Sequence, residues 1–205
     1  MPITISGSGT ITGLTTGGLP DGSIAAGDLS STLDLTGKTV TLPAGTGGKI
    51  LQVQTTGALT STPSTNSQES YGDISGFSVN ITPAATSSKV LITVSLGRVS
   101  VDQTGGRLTA FRLMRDSTAI SVGATAGSRL LASFTVGQYQ GAYNSGITYT
   151  YLDSPSTTSE VTYKLQWTGQ AGNAHYINRG SGDSDTIDAP NTRTASSITL
   201  MEVGA

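Results

Sequence analysis

The aromatic residues of this 205-residue chain are confined to its later part. All eleven lie at or beyond Tyr71, and all seven arginines lie beyond residue 97. Residues 1–70 carry 12 Gly, 9 Ser and 15 Thr instead. A segment of this length without aromatic side chains cannot build an ordinary single-chain core. The sequence therefore predicts two regions, an N-terminal segment at 1–70 and a core-forming domain at 71–205.

Within the first region, one apolar residue recurs every five positions. The residues with this spacing are Leu14, Leu19, Ile24 and Leu29. A thin element of this kind buries nothing alone, but several copies around a common axis bury all of its apolar residues. The pattern favours a stalk in which these residues line an axis shared by several copies. Two other interpretations stay open: a Gly-rich linker with a coincidental spacing, and a short helix capped by Ser23.

Alternation of apolar and polar residues predicts strands in the rest of the chain. Residues 38–42 and 49–55 alternate in this way, and a Pro- and Gly-containing turn separates them. The cleanest alternation is Val161, Tyr163, Leu165 and Trp167, where we expect Trp167 to lie in the core. About eight short strands with Gly and Ser turns match an all-β sandwich or jelly roll, without a helix of ordinary length.

Composition leaves little room for catalysis. The chain has no cysteine, and its one histidine, His175, cannot form a paired-histidine metal site. No Gly-x-Ser-x-Gly or Ser-x-x-Lys motif supplies an activated nucleophile. We expect His175 to be a surface or inter-strand residue, and Asp153 and Glu160 to be the two ends of a hairpin. The sequence predicts no catalytic residue and no cofactor.

An acidic loop offers only a weak metal candidate. Asp183, Asp185 and Asp188 lie close together among Gly, Ser and Thr. Carboxylates two residues apart could bind calcium, or could meet their copies around a trimer axis. The spacing lacks the Asx and Gly of an EF-hand at the fifth and sixth positions. A solvated loop is therefore the favoured interpretation, and no metal site is predicted.

Two stretches combine aromatic, amide and cationic side chains. The loop at 137–146 contains Tyr139, Tyr143 and Asn144, and Tyr176 and Arg179 lie beside a later strand. Rigid aromatic plates beside adaptable amides are typical of surfaces that bind sugars or protein epitopes. We predict these five residues as receptor contacts. The alternative is that the tyrosines pack at an interface between copies.

Charge and termini indicate which partners to expect. The net charge is −2 without a basic patch, so binding driven by nucleic-acid phosphates is not expected. The start, Met-Pro-Ile-Thr-Ile-Ser, lacks the basic and apolar stretches of a signal peptide. The longest apolar run, at 90–96, is too short and too interrupted to cross a bilayer. We expect no nucleic-acid or membrane partner.

Several blocks of the chain resemble phage tail-fibre-type proteins, in particular the fibres of marine and cyanobacterial tailed phages. These blocks are residues 4–14, 17–24, 33–53, 81–92, 151–158 and 196–203. The resemblance implies a homotrimeric virion appendage that is made in the host bacterial cytoplasm. Its N-terminal segment would dock to tail or baseplate proteins, and its C-terminal β-rich knob would meet a host glycan or protein. Missing cysteines agree with assembly in a reducing cytoplasm.

Three other functions remain as alternatives. One is a free lectin-like binder, in which residues 1–70 would have no role. A head fibre or capsid decoration protein of the same build would dock to the capsid through residues 1–35. A polysaccharide depolymerase is the weaker alternative, because it would need two carboxylates facing each other across a cleft.

Overall fold

Eleven strands and no α-helix make up the part of the chain that the structure describes. The computed structural model describes residues 49–65, 70–102, 107–138, 145–170, 172–188 and 191–204. The strands are β1 (Ile50–Thr55), β2 (Ser64–Thr65), β3 (Gly72–Ile81), β4 (Lys89–Val101), β5 (Arg107–Arg115), β6 (Thr118–Ile120), β7 (Phe134–Gln138), β8 (Ser145–Asp153), β9 (Val161–Thr168), β10 (His175–Ile177) and β11 (Ser197–Val203). The predicted all-β class is confirmed, and the described residues contain no helix with the length and hydropathy of a membrane span.

The strands form two antiparallel sheets that enclose one core. Sheet one has the order β1-β11-β4-β8, and β10 and β2 continue it beside the last residues of β4. Sheet two has the order β3-β9-β5, with β6 and β7 sharing the far side of β5. Apolar side chains from both sheets meet between them, as in a β-sandwich.

The pairing of strands is nested along the chain. β1 pairs with β11, β3 with β9, β4 with β8, and β5 with β7. Each outer pair encloses the next, so the chain follows the path of one long hairpin whose two arms wind through both sheets. Most contacts therefore join residues that are far apart in sequence.

Aromatic residues form the centre of the core. Trp167 is 3% exposed, as the alternation of β9 predicts. Its ring centroid lies 6.4 Å from that of Phe111, which stacks on Phe134 at 5.0 Å. Phe134 in turn stacks on Tyr149 at 4.7 Å. This row crosses from sheet two to sheet one, and it explains why the aromatic residues coincide with the sandwich.

The sandwich begins earlier than the composition suggests. The predicted strand at 49–55 is confirmed as β1, but β1 and β2 belong to sheet one and not to an N-terminal segment that ends at residue 70. Gln52 anchors β1, because its Nε2 donates to Glu202 Oε2 and to Thr82 O, each at 2.7 Å. An edge strand buries little apolar surface and needs no aromatic residue, which is why composition misplaces it. Residues 38–42 lie outside the described residues.

Asp153 and Glu160 do not close a hairpin. β8 ends at Asp153 in sheet one, whereas β9 begins at Val161 in sheet two, so residues 154–160 cross between the sheets. Asp153 is 5% exposed and accepts hydrogen bonds from Arg115 Nη1 at 2.9 Å and from Tyr163 Oη at 2.6 Å. The carboxylate is thus a link between the sheets and not a turn residue.

The sandwich has two distinct ends. At the first, which we call the entry end, Ile50 pairs with Val203 and Val203 with Lys89. At the second, the loop end, Val99 pairs with both Ser145 and Ile177, and Arg107 pairs with Gln138. The 13 residues of β4 connect the two ends, a distance of about 40 Å at the rise of an extended strand.

Candidate functional site

The residues that flank the two stretches predicted as receptor contacts lie at the loop end. Residues 139–144 connect Gln138 to Ser145, and the pairing of these two flanking residues places both at the loop end. Tyr176 lies on the neighbouring strand β10, where it pairs with Ser100 and Ser64. The predicted contacts Tyr139, Tyr143 and Asn144 themselves lie outside the described residues, as do the stalk residues Leu14, Leu19, Ile24 and Leu29.

A buried asparagine anchors the loop that follows β10. Asn178 is 0% exposed and has a φ of 66°, a left-handed conformation that asparagine tolerates well. Its Nδ2 donates to the carbonyl oxygens of Leu59 and Ser61, and its Oδ1 accepts from Ser196 Oγ at 2.6 Å. These bonds tie the two ends of the loop to each other and to the segment between β1 and β2. Asn178 is therefore a structural residue.

Arg179 organises the same loop. Its guanidinium carbon lies 4.0 Å from the centroid of the Tyr176 ring, a cation–π geometry. Nε donates to Gly180 O at 3.0 Å, Nη2 to Ser181 O at 3.1 Å, and Nη1 to Asp183 Oδ2 at 3.0 Å. Every nitrogen of the guanidinium is therefore engaged within the loop. The structure places the predicted contacts Tyr176 and Arg179 against each other, with the arginine holding the loop in shape.

Asp183 is shared between two arginines. In addition to Arg179, Arg193 Nη2 approaches Asp183 Oδ1 at 2.6 Å. The side chain of Arg193 is 54% exposed, whereas that of Asp183 is 24% exposed. We call Tyr176, Arg179, Asp183 and Arg193 the loop-end cluster. Arg193 was not predicted, because a single arginine ten residues from its partner gives no local sequence signal.

The tip of this loop is exposed and carries an isolated apolar side chain. Asn191 N donates to Asp188 O at 2.9 Å, and Asn191 Nδ2 donates to Thr186 Oγ1, so the tip is closed by hydrogen bonds. Ile187 is fully exposed between Asp185 and Asp188. In the described ranges, no three His, Cys, Asp or Glu side chains come together in a group that could hold a metal ion. Asp183 instead forms ion pairs with Arg179 and Arg193.

His175 is an inter-strand residue but not a surface residue. It is 0% exposed in β10, where its Nδ1 lies 2.7 Å from Thr109 Oγ1 of sheet two. The backbone N–H of Gln170 donates to Nε2 at 3.1 Å, so the ring proton is on Nδ1 and is donated to Thr109. Burial lowers the pKa of His175, which keeps the ring neutral. The contacts described for this ring include no carboxylate to orient it as a general base.

The outer face of sheet two carries a second polar cluster, formed by Tyr71, Asp73, Arg112, Lys164 and Gln166. Arg112 lies over the Tyr71 ring at 4.2 Å and donates to Gln166 Oε1 at 2.6 Å. Gln166 and Lys164 both donate to Asp73, and these hydrogen bonds, led by that from Lys164, lower the pKa of its carboxyl. Three strands contribute to the cluster, so their sequence separation conceals it. The cluster joins strands across the face of the sheet.

Comparison with known proteins assigns no family to the chain. No protein-family model matches it, and no curated protein matches it. Among solved structures, the chain is similar to the crystal structure of the infectious bursal disease virus VP2 subviral particle, with 13% identity and a TM-score of 0.33. The match covers 86% of this chain and 50% of the VP2 chain, so it spans half the length of that protein. A likeness of this size carries neither a family nor a function.

Proposed function

We propose that this chain is a structural virion protein, a homotrimeric tail or baseplate fibre whose loop end contacts the surface of a bacterial host. Two lines support the proposal. The sequence blocks resemble tail-fibre-type proteins along nearly the whole chain, and the nested pairing of eight strands corresponds to a jelly roll, an architecture used by viral capsid and lectin domains. The proposed activity is binding alone, without a catalytic residue, cofactor or metal.

The observation that carries the proposal is the polarity of the sandwich. The chain enters β1 at Lys49, and Gly204 N donates to Lys49 O at 2.6 Å, so both the incoming and the outgoing chain lie at the entry end. The loop-end cluster and the flanks of residues 139–144 lie at the opposite end of β4. A fibre needs this separation, because one end must attach to the particle while the other remains free to meet a host.

The loop that follows β10, which contains Arg179, Asp183 and Arg193 of the loop-end cluster, is suited to bind a host surface without rearrangement. Hydrogen bonds of Asn178 and Arg179 fix residues 178–183 in the unbound chain, so these residues lose little conformational entropy on contact. Ile187 offers an apolar contact at the tip, and the half-exposed Arg193 offers a cation to anionic groups of a host glycan or protein. Each such site is weak. Three copies per fibre, and several fibres per particle, sum to firm attachment through avidity.

Location on the particle is tested by labelling. Gold-conjugated antibodies raised against the purified chain are applied to negatively stained particles of the virus that encodes it. Label on the tail or baseplate supports the fibre. Label on the capsid instead favours the head-fibre or decoration alternative, and particles without label contradict a virion protein of either kind.

The contact surface is tested with paired variants of the full chain. In one, Ile187 and Arg193 are both replaced by serine; in the control, the exposed Leu130 and Arg129 are replaced by serine. Fluorescently labelled protein is then bound to cells of the host bacterium and measured by flow cytometry. We expect half-saturation of the loop-end variant to need at least about tenfold more protein, as for loss of an interface anchor. Equal binding by both variants would contradict contact through this loop.

A further inference from the structure

The outer faces of the two sheets differ in chemistry. In sheet one, the strand registers align two rows of side chains across all four long strands. The row nearer the entry end is Val53, Met201, Leu91 and Leu152, and the next is Thr55, Thr199, Thr93 and Thr150. An uninterrupted apolar row beside an uninterrupted threonine row makes a face without a charged side chain in either row.

The outer face of sheet two has the opposite character. It carries the charged side chains of Asp73, Arg112 and Lys164, which are engaged in hydrogen bonds across its strands. On sheet one, Lys89 stands only at the margin, paired with Val203. Val53 is 52% and Leu152 45% exposed, so the ends of the apolar row are open in the single chain. An apolar row across four strands with both ends exposed is unusual for a surface that faces water.

The position of this face indicates what covers it. The apolar row lies at the entry end, directly beside the point where 48 preceding residues join the sandwich at Lys49. In a trimer whose copies are held through those residues, the three β1 strands start close to one another. The face next to β1 is then the one that each copy presents to its neighbours. An uncharged face meets its own copy without like-charge repulsion.

We infer that a second copy of this chain covers the outer face of sheet one, along the apolar and threonine rows. The inference rests on the trimer of the proposed function and identifies its interface. It places sheet one towards the axis and sheet two, with its charged cluster, towards solvent. The loop end then points along the axis, away from the entry end.

Single cysteines test the interface, because the natural chain has none. Val53→Cys and Leu152→Cys place a thiol on sheet one, and Leu108→Cys is the matched control on the outer face of sheet two, where Leu108 is 58% exposed. Each full-length variant is alkylated with a maleimide at neutral pH, native and in urea. We expect the two sheet-one thiols to react at least about tenfold more slowly than the control in the native protein, and equally in urea.

Light scattering on the same samples separates the possible outcomes. Slow alkylation in a protein of three times the 20.8 kDa chain mass supports the interface. Alkylation as fast as the control in a trimer would overturn the interface but leave the trimer standing. A monomer with unprotected thiols would overturn both. Protection in a monomer would assign the cover to the same chain, and would equally overturn a second copy.

Discussion

Replacement of Tyr163 by phenylalanine tests the link that joins the two sheets. The Tyr163 hydroxyl donates to Asp153 Oδ2 at 2.6 Å, and both residues are buried. Burial, together with the Asp153 carboxylate, raises the pKa of Tyr163, so the hydroxyl is protonated and donates at neutral pH. Phenylalanine retains the ring, and no cavity forms in the core.

The expected loss follows from the charge on the acceptor. A hydrogen bond to a charged group contributes about 1.5–3 kcal/mol. Arg115 Nη1 lies 2.9 Å from Asp153 and is not altered by the substitution, so the carboxylate retains a partner. We therefore expect the free energy of unfolding to fall by about 2 kcal/mol. For a domain of this size the melting temperature should drop by about 4–8 °C.

Urea unfolding at a fixed protomer concentration measures this loss, since association would otherwise change the apparent stability. The midpoint should fall while the m-value stays constant. Tyr149→Phe is the control, because its hydroxyl lies 2.5 Å from the neutral Ser121 Oγ and its loss should cost about 1 kcal/mol or less. If Tyr163→Phe lowers the free energy of unfolding no more than Tyr149→Phe does, the hydrogen bond from Tyr163 to the Asp153 carboxylate does not have the expected stabilising effect.

Three further changes probe the core and the buried histidine. Trp167→Ala should lower the free energy of unfolding by at least about 3 kcal/mol in urea, because it empties a buried site beside Phe111; a smaller loss would contradict its core role. Gly169→Ala should cost about 1–3 kcal/mol, since the added Cβ would overlap the His175 ring, and an unchanged midpoint would refute that contact. Burial lowers the pKa of His175 from 6.5, so the unfolded chain binds the extra proton. Stability should therefore decrease as the pH falls below about 6.5 and level off below the folded-state pKa, and this slope should be absent in His175→Gln.

The candidate site could be predicted in part. Residue types identified Tyr176 and Arg179, and the structure places them in one cluster with Asp183. The roles could not be predicted, because they depend on partners from other parts of the chain. Arg193 reaches Asp183 only after the loop closes, and Asn178 reaches Leu59 across 119 residues. Whether the cluster contacts a receptor stays a prediction.

Alternation along the chain by itself determined which segments become strands and which side chains share a face. It placed Trp167 in the core, and it found β1 where composition indicated only a stalk. This prediction from sequence succeeds because side chains alternate between the two faces of a strand every two residues. A period this short can be recognised from neighbouring positions alone.

Only the tertiary structure decided how the strands pair, which outer face is charged, and where the ends of the sandwich lie. A strand's period does not specify its partner, since pairing is selected by packing between segments that are far apart in the chain. The uncharged rows of sheet one exist only once β1, β11, β4 and β8 align in register. The contacts of Asp153 with Arg115 and Tyr163 also depend on the tertiary structure. They form because residues 154–160 carry the chain from one sheet to the other.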